Sequence, residues 1–180
     1  DGVHLHTFMG DKALSDAVDS VRRGETAVGR DRGKVKVWSV FATACDVSEA
    51  VYLKYIVARL ATYLQIPGYG ELLVRVNGWD EEVLKTFRTH KSVTSVRGLI
   101  DSVATTEQLA EIEKIIPMAW RPAAVGSARE CAEAWLGQFE AGADGLIIHA
   151  STPEEFAPVL DEYRKIRPNE RFENRTNRPG

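Results

Sequence analysis

Cysteine is scarce in this chain, which has only Cys45 and Cys131 among its 180 residues. Two cysteines without metal-ligand spacing do not form the framework of a small disulfide-rich secreted domain, so we expect reduced thiols and a cytoplasmic protein. An even number of cysteines still allows one disulfide bond between them. Long apolar runs are missing too. The stretch from Val37 to Cys45 is far shorter than the roughly 20 residues of a membrane-spanning helix, so we expect no membrane segment.

An excess of charge of one sign is also lacking. The net charge is −3 and the pI is near 5.9, which argues against a nucleic-acid partner despite the basic stretch from Arg164 to Arg178. No glycine pattern of the dinucleotide-binding or P-loop type occurs, so neither site is predicted. With 44% hydrophobic and 27% charged residues, the composition is that of one globular domain with a sizeable core.

One short pattern occurs twice, near the start and near the end. Asp1–Thr7 reads Asp-Gly-Val-His-Leu-His-Thr, and Asp144–Ala150 reads Asp-Gly-Leu-Ile-Ile-His-Ala. In each copy a short apolar strand ends in polar residues and a helical pattern follows. Such strand-to-helix units build parallel α/β folds, whose binding and catalytic groups lie at the carboxyl ends of the strands. The repeat therefore predicts both the fold class and the place of the site.

The remaining elements follow from apolar periodicity, capping residues and glycine or proline stops. Strands are expected at 3–7, 35–44 and 146–149. Helices are expected at 11–27, 48–64, 69–76, 80–89, 105–116 and 127–142, with a last one that begins at Pro153 and is bent by Pro158. Asp46 is the expected N-cap of the second helix. The stretch 67–122 holds no convincing strand, so we expect a helical insertion that shapes a substrate pocket.

Three parallel strands cannot close a barrel. They leave both outer edges unpaired, and such edges are aggregation templates unless another element covers them. We therefore expect an α/β fold that is the carboxyl-terminal part of a larger (β/α)8 TIM-type barrel. The barrel can be completed by a missing amino-terminal half, by a second chain or by edge pairing between two copies. A homo-oligomer is expected. Because the chain starts at Asp1 and enters a strand almost at once, upstream residues are expected as well.

Several segments along the chain form a recognisable set. They are Asp1 to Phe8, Gly29-Arg30-Asp31, Tyr63 to Gly78 with Pro67-Gly68-Tyr69, Ile100 to Gln108, Gly126-Ser127-Ala128, and Ala141 to Glu155. As a set they resemble the luciferase-like monooxygenase superfamily, and most closely its branch of coenzyme F420-dependent oxidoreductases. The resemblance covers nearly the whole chain and depends on no single motif.

The resemblance implies that the chain is the carboxyl-terminal half of one barrel. Strands six, seven and eight would be 3–7, 35–44 and 146–149. One unit would span 1–168, with the insertion at 67–122, and a polar basic tail would follow at 169–180. The implied function is hydride transfer between a small organic substrate and a deazaflavin or flavin, with coenzyme F420 as cofactor and FMN as the alternative. Since strands one to five are absent, it stays open whether this chain alone binds a cofactor.

Five residues are candidates for the cofactor or substrate pocket, and none is assigned a catalytic role. His6 and Thr7 end the first strand; in related deazaflavin dehydrogenases a threonine matching Thr7 contacts the substrate, although the lysine that follows it there is not matched. His149 ends the last strand, and its imidazole can bind a pocket group or act as an acid. Trp120 can stack on a ring and Arg121 can hold an anionic group near the barrel mouth. The structural alternatives are a helix-capping hydroxyl for Thr7, a rim histidine with satisfied hydrogen bonds for His149, and a solvated arginine for Arg121.

Two other functions stay open. One is a non-catalytic half-barrel that is stable only as an assembly with another chain or copy. The other is a metal-dependent barrel hydrolase, because His4 and His6 lie two apart on a strand and would share a face with a ligand such as His149. No companion carboxylate is obvious, so no metal site is predicted.

Overall fold

The computed structural model describes residues 1–168 as an α/β fold built on one parallel sheet. Its strands are β1 (Gly2–His4), β2 (Lys36–Cys45), β3 (Ala123–Gly126) and β4 (Gly145–His149). Its helices are α1 (Asp11–Ala27), α2 (Glu49–Tyr52), α3 (Arg59–Gln65), α4 (Tyr69–Asn77), α5 (Glu81–Thr89), α6 (Lys91–Thr94), α7 (Ile100–Val103), α8 (Thr106–Glu113), α9 (Ala128–Glu140) and α10 (Pro153–Ile166). A π-helical segment (Leu53–Ala58) joins α2 to α3, and a 3-10 turn (Met118–Trp120) precedes β3.

The central strand is β2, with which each of the other three described strands pairs in parallel. Trp38 pairs with both β1 and β4, so these two strands lie on opposite edges of β2. Ala42 pairs with both β3 and β4, so β3 shares the edge of β1, farther along β2. The sheet over residues 1–168 is therefore three strands wide and is not closed, as expected for a fragment of a TIM-type barrel.

Helices α1, α9 and α10 cover one face of β2. Phe41 packs with Trp135 of α9 and Tyr163 of α10, and Val37 packs with Leu14 of α1. These side chains alternate along β2 with those of the opposite face, as strand geometry requires.

Two buried hydrogen bonds hold α9 against this face. The Ser39 hydroxyl donates to Oε1 of Gln138 over 2.8 Å, and Nε1 of Trp135 donates to the Thr43 hydroxyl over 3.0 Å. Because each buried polar group has a partner, the polar residues of β2 do not weaken the core.

The helical insertion covers only the carboxyl end of the opposite face. Ala42 and Ala44 pack there in the largest apolar cluster, with Phe8, Leu53 and Ile56. Small side chains on the strand let the helices approach closely, so the insertion forms a wall over the ends of the strands.

The same face is open over the amino-terminal part of β2 and the adjoining part of β4, and it is open again at Val125 of β3, beside Ala44. Trp38 is 42% exposed, Ile147 is 39% exposed and Val125 is 44% exposed. Register places them on one face, because Val40 pairs with Ile147 and Ala44 pairs with Val125. We call Trp38, Val40, Val125 and Ile147 the open face.

Most expected elements are present, with ends shifted by one to three residues. The sequence predicts a capping box at Ser127 and a hydroxyl cap at Thr152, and the structure has a capping box at both, because Glu130 and Glu155 each accept a hydrogen bond from the backbone N–H of the cap residue. The helix expected at 48–64 spans Glu49 to Gln65 but contains the π-helical segment, which no periodicity signalled.

Two expectations were wrong. The sheet has a fourth strand, β3, which starts immediately after Pro122 and after the insertion. Asp46 does not cap the second helix, because its φ is 49° and its backbone N–H donates to the Gly126 carbonyl over 2.8 Å. The N-cap is Ser48, so Asp46 joins β2 to the end of β3.

No helix within residues 1–168 combines the length and the apolar content that crossing a membrane requires. The basic tail expected at 169–180 lies outside the described residues.

Candidate functional site

A cleft of about 270 Å³ lies where the carboxyl ends of β1 and β4 meet the insertion. Its lining residues are His4, Leu5, His6, Thr7, Val40, Tyr63 and His149. We call it the histidine cleft. Three predicted pocket residues, His6, Thr7 and His149, are thus brought together from opposite ends of the sequence. The place agrees with the general rule that ligands bind at the carboxyl ends of parallel strands.

The loop after β1 is fixed by α4. Asn77 donates from Nδ2 to the Phe8 carbonyl over 3.1 Å and accepts from the Gly10 N–H over 2.7 Å. Phe8 has a φ of 61° and is 1% exposed, so its backbone adopts a left-handed turn that burial of the ring stabilises. This turn sets the direction in which the preceding residues enter the cleft.

Thr7 is 4% exposed, and its hydroxyl has no hydrogen-bond partner among residues 1–168. His6 donates from Nδ1 to the Thr7 carbonyl over 2.8 Å, which leaves Nε2 as the acceptor nitrogen of the neutral ring. The His6 ring lies edge-on to Tyr63 at 4.8 Å and to Tyr69 at 5.1 Å between centroids. Aromatic packing therefore orients His6, whereas the hydroxyl of Thr7 is left available to a ligand.

His149 ends β4, and its Nδ1 is buried without a hydrogen-bond partner in the described part of the chain. Its ring lies edge-on to Phe8 at 6.3 Å. Burial lowers the pKa of His149, and the charges of Arg59 and His6 lower it further. The imidazole is therefore neutral at neutral pH and can donate or accept one hydrogen bond at Nδ1.

A second cleft, of about 420 Å³, adjoins the first at His149. Its other lining residues are Lys54, Tyr55, Arg59, Asp101, Ser102 and Ala150. We call it the cationic cleft. Arg59 donates from one terminal nitrogen to Asp101 over 2.8 Å, and its guanidinium carbon lies 6.0 Å from the Tyr63 ring centroid. Together the two clefts form one candidate site with His149 between them.

Sequence reasoning missed the contribution of the insertion to this site. Tyr55, Arg59 and Tyr63 recur every four residues just after the end of β2, a spacing that places polar tips on one helix face. In the helix expected at 48–64, both tyrosines fall on the apolar stripe, which favours buried positions for them. The polar tip at every fourth position was the signal that could have identified them.

The structure places the other two predicted pocket residues away from both clefts. Trp120 is 5% exposed and stacks on Trp79, with ring centroids 4.7 Å apart. Arg121 donates to the Tyr52 hydroxyl over 2.6 Å and pairs with Glu113. Both side chains fasten the end of the insertion, and neither lines the two clefts.

Metal and thiol chemistry find no support within residues 1–168. No group of three or more histidine, cysteine or carboxylate side chains there has a metal-binding arrangement, so the hydrolase alternative gains nothing from His4 and His6. Cys45 and Cys131 are buried and free, and burial raises the pKa of both thiols, that of Cys131 to about 12. Neither is activated as a nucleophile.

Comparison with known proteins shows which fold the chain resembles but does not assign it to a family. No family model matches the chain, and no curated protein does either. Among solved structures, the fold is similar to that of the coenzyme F420-dependent tetrahydromethanopterin reductase from Methanopyrus kandleri, with a TM-score of 0.61 and 13% sequence identity. The match covers 95% of this chain and 45% of that chain, so this chain spans less than half the length of that reductase.

Proposed function

We propose that this chain is the carboxyl-terminal portion of a luciferase-like oxidoreductase that uses a deazaflavin or flavin to transfer a hydride to or from a small organic substrate. The observation that carries the proposal is the histidine cleft, where Thr7 and His149 have buried polar atoms at the strand ends that find no hydrogen-bond partner among residues 1–168. A buried polar group left unpaired is costly, which favours a ligand that completes its hydrogen bonds. The structural similarity to an F420-dependent reductase supports the choice of cofactor class.

The described residues fit one side of such a cofactor. His6 and Tyr63 line the cleft with aromatic side chains that can contact a planar tricycle, while Thr7 and His149 can form hydrogen bonds with its edge or with the substrate. The cleft volume of about 270 Å³ lies just under the usual size of a small-molecule site, roughly 300 to 1,000 Å³, so these walls would enclose part of the ring system.

When bound, the cofactor supplies the hydride chemistry, and the chain supplies position and a dry environment. The Thr7 hydroxyl can donate a hydrogen bond to a group bound in the histidine cleft or accept one from it. Neutral His149 can do the same at Nδ1 and can take up a proton there as charge develops. Tyr63, from the insertion, would shield a molecule bound in the cleft from water on one side.

Binding of the two candidate cofactors tests the proposal. Coenzyme F420 and FMN are titrated separately with the protein, and the change in cofactor fluorescence is followed. We expect F420 to bind more tightly, and Thr7→Val to weaken it about tenfold through the loss of one hydrogen bond in a buried site. Thr94→Val, at an exposed position of α6, is the matched control. The absence of affinity for both cofactors contradicts the proposal.

The open face favours a second candidate function, a half-barrel that acts as an assembly and has no chemistry of its own. Trp38, Ile147 and Val125 are exposed on a parallel sheet whose outer edges have no strand partner among residues 1–168. We take the occupant to be a second copy of the chain, and its oligomeric state in solution is the test.

A further inference from the structure

We propose that the cationic cleft binds an anionic oxygen group, a carboxylate or a phosphate, carried by a small molecule whose remaining part lies in the histidine cleft. This inference rests on the proposed function, because it names the substrate class of the same site. The two clefts share His149, so a molecule held by its acidic end in one cleft extends directly towards Thr7 in the other.

Two cations line the cationic cleft, and one is without an ionic partner in the described chain. Lys54 is exposed and forms no ion pair within residues 1–168. Arg59 is half-buried, and the one hydrogen bond that its side chain makes among those residues goes from a terminal nitrogen to Asp101. A guanidinium has five N–H donors in a planar fork, so Arg59 retains donors that match two oxygens of a carboxylate or phosphate.

Asp101 positions the arginine and does not neutralise the cleft. Its backbone N–H donates to the Thr62 hydroxyl over 2.8 Å, and its carboxylate accepts from Arg59 and from the Ser102 hydroxyl. With Lys54 and Arg59 against Asp101, the charges that line the cleft sum to one positive charge. A singly charged anion therefore balances the lining.

One further carboxylate lies close by. Glu155 accepts from the Tyr55 hydroxyl at 3.1 and 3.2 Å, and it also accepts from the Thr152 N–H as part of the capping box of α10. It does not line the cleft, and both of its oxygens already accept hydrogen bonds. Because the carboxylate of Glu155 is engaged in the capping box, it does not pair with Lys54 or Arg59, and both cations can face a ligand.

His149 supplies the independent sign of a ligand at this place. Its Nδ1 is buried and has no hydrogen-bond partner in residues 1–168, although the ring borders a cleft that is wide enough for an acidic group. An anion at Arg59 offers that nitrogen an acceptor and offsets the positive charge of Arg59, which now disfavours a charged imidazole. Anion binding and protonation of His149 are therefore coupled.

The test uses inorganic phosphate and acetate as probes, without any cofactor. Each anion is titrated into the protein while the ring protons of His149 are followed by NMR, and chloride at equal ionic strength is the third arm. We expect saturable binding of phosphate or acetate and a rise in the pKa of His149 on binding. The stronger of the two probes separates a phosphate-bearing from a carboxylate-bearing ligand. No saturation with either probe, or equal binding of chloride, overturns the inference.

Two variants locate the binding. Arg59→Met is expected to weaken binding at least about tenfold, since a charge-assisted bidentate contact is lost. Lys54→Met, at an exposed position, keeps the inference testable if Arg59→Met fails to fold, and it is expected to weaken binding about threefold. Arg129→Met, on the exposed side of α9, is the matched control and should bind as the wild type does. Unchanged binding in both cleft variants overturns the inference, whereas a failure of F420 binding bears only on the proposed function.

Discussion

In each copy of the Asp-Gly pattern, the aspartate has a structural role and the histidine belongs to the candidate site. Asp144 accepts the Val37 N–H over 3.0 Å and pairs with Arg22 over 2.8 Å, which ties the start of β4 to β2 and α1. The copy at Asp1 pairs with Arg30 over 2.8 Å at an exposed position. The aspartates thus anchor strand beginnings, and the histidines at the other ends of the strands reach the cleft.

Residue patterns predicted those members of the site that follow directly from a strand end. His6, Thr7 and His149 come after short apolar runs, and parallel strands bring such positions to one edge of a sheet. Trp120 and Arg121 were candidates because of their chemistry alone. Their partners Trp79 and Glu113 are set by how the insertion folds on itself, which no local pattern records.

At the residue scale, the depressed pKa of His149 predicts a pH-dependent stability. The unfolded histidine titrates near pH 6.5, and the folded one titrates lower because burial, Arg59 and His6 disfavour the charge. More protons are therefore bound in the unfolded state, and the free energy of unfolding should fall as the pH drops below about 6.5. Urea unfolding at pH 7.5 and 5.0 measures this fall, which should be smaller in His149→Asn.

His90→Asn, a substitution at a histidine in the insertion, accounts for the general effect of removing an imidazole. An equal fall in the wild type and in His149→Asn would show that His149 does not contribute to the pH dependence.

At the element scale, the long helices were predictable, whereas the short strand β3 and the four-residue helices α6 and α7 were not. A capping box and a regular apolar stripe predict helix α9. Strand β3, in contrast, has only the four residues Ala-Ala-Val-Gly, which have little intrinsic strand preference. Pairing with β2 creates that strand, so its cause is tertiary. The π-helical segment is likewise invisible in the sequence, because its apolar spacing is compatible with a continuous α-helix.

The insertion depends on one arginine. Arg88 of α5 donates to the carbonyl of Leu64 over 2.9 Å and to that of Ile66 over 3.0 Å, and it pairs with Glu71 in the first turn of α4. It thereby satisfies the carbonyls at the end of α3 and fixes the turn into α4, which also carries Asn77.

Arg88→Lys should lower the free energy of unfolding by about 1 to 3 kcal/mol, since lysine keeps the charge but cannot reach both carbonyls and the carboxylate with one planar fork. Denaturant unfolding measures the loss. Arg75→Lys, an exposed position on α4, is the matched control. Equal stability of Arg88→Lys and the wild type would show that the fork is not needed.

At the scale of the whole molecule, the fold class and the parallel order of β1, β2 and β4 were predictable, because sequential strand-to-helix units leave few topologies. The exposure of Trp38 was not predictable. A tryptophan in an apolar strand is typical of a protein core. The Trp38 ring nevertheless lies against Gly145, where an added Cβ would come within 2.4 Å of the indole, and 42% of the residue stays exposed. Only the shape of the unclosed sheet explains this.

A second copy of the chain, related to the first by a two-fold axis that runs along the strands, can cover the open face. Such an axis brings the β4 edge of one copy, which is unpaired within residues 1–168, beside the β1 edge of the other in parallel orientation, so the interface is the same patch on both copies. Under the second candidate function, we therefore expect a particle of twice the 20.0 kDa chain mass in size-exclusion chromatography with light scattering. Ile147→Glu, which places a charge in the middle of the open face, should convert it to the single-chain mass, because burying an unpaired carboxylate is prohibitive. Val28→Glu changes a residue that is 70% exposed just after α1, so its mass should equal that of the wild type. A wild-type chain that is folded and monodisperse at the single-chain mass would instead mean that a second copy does not cover the open face.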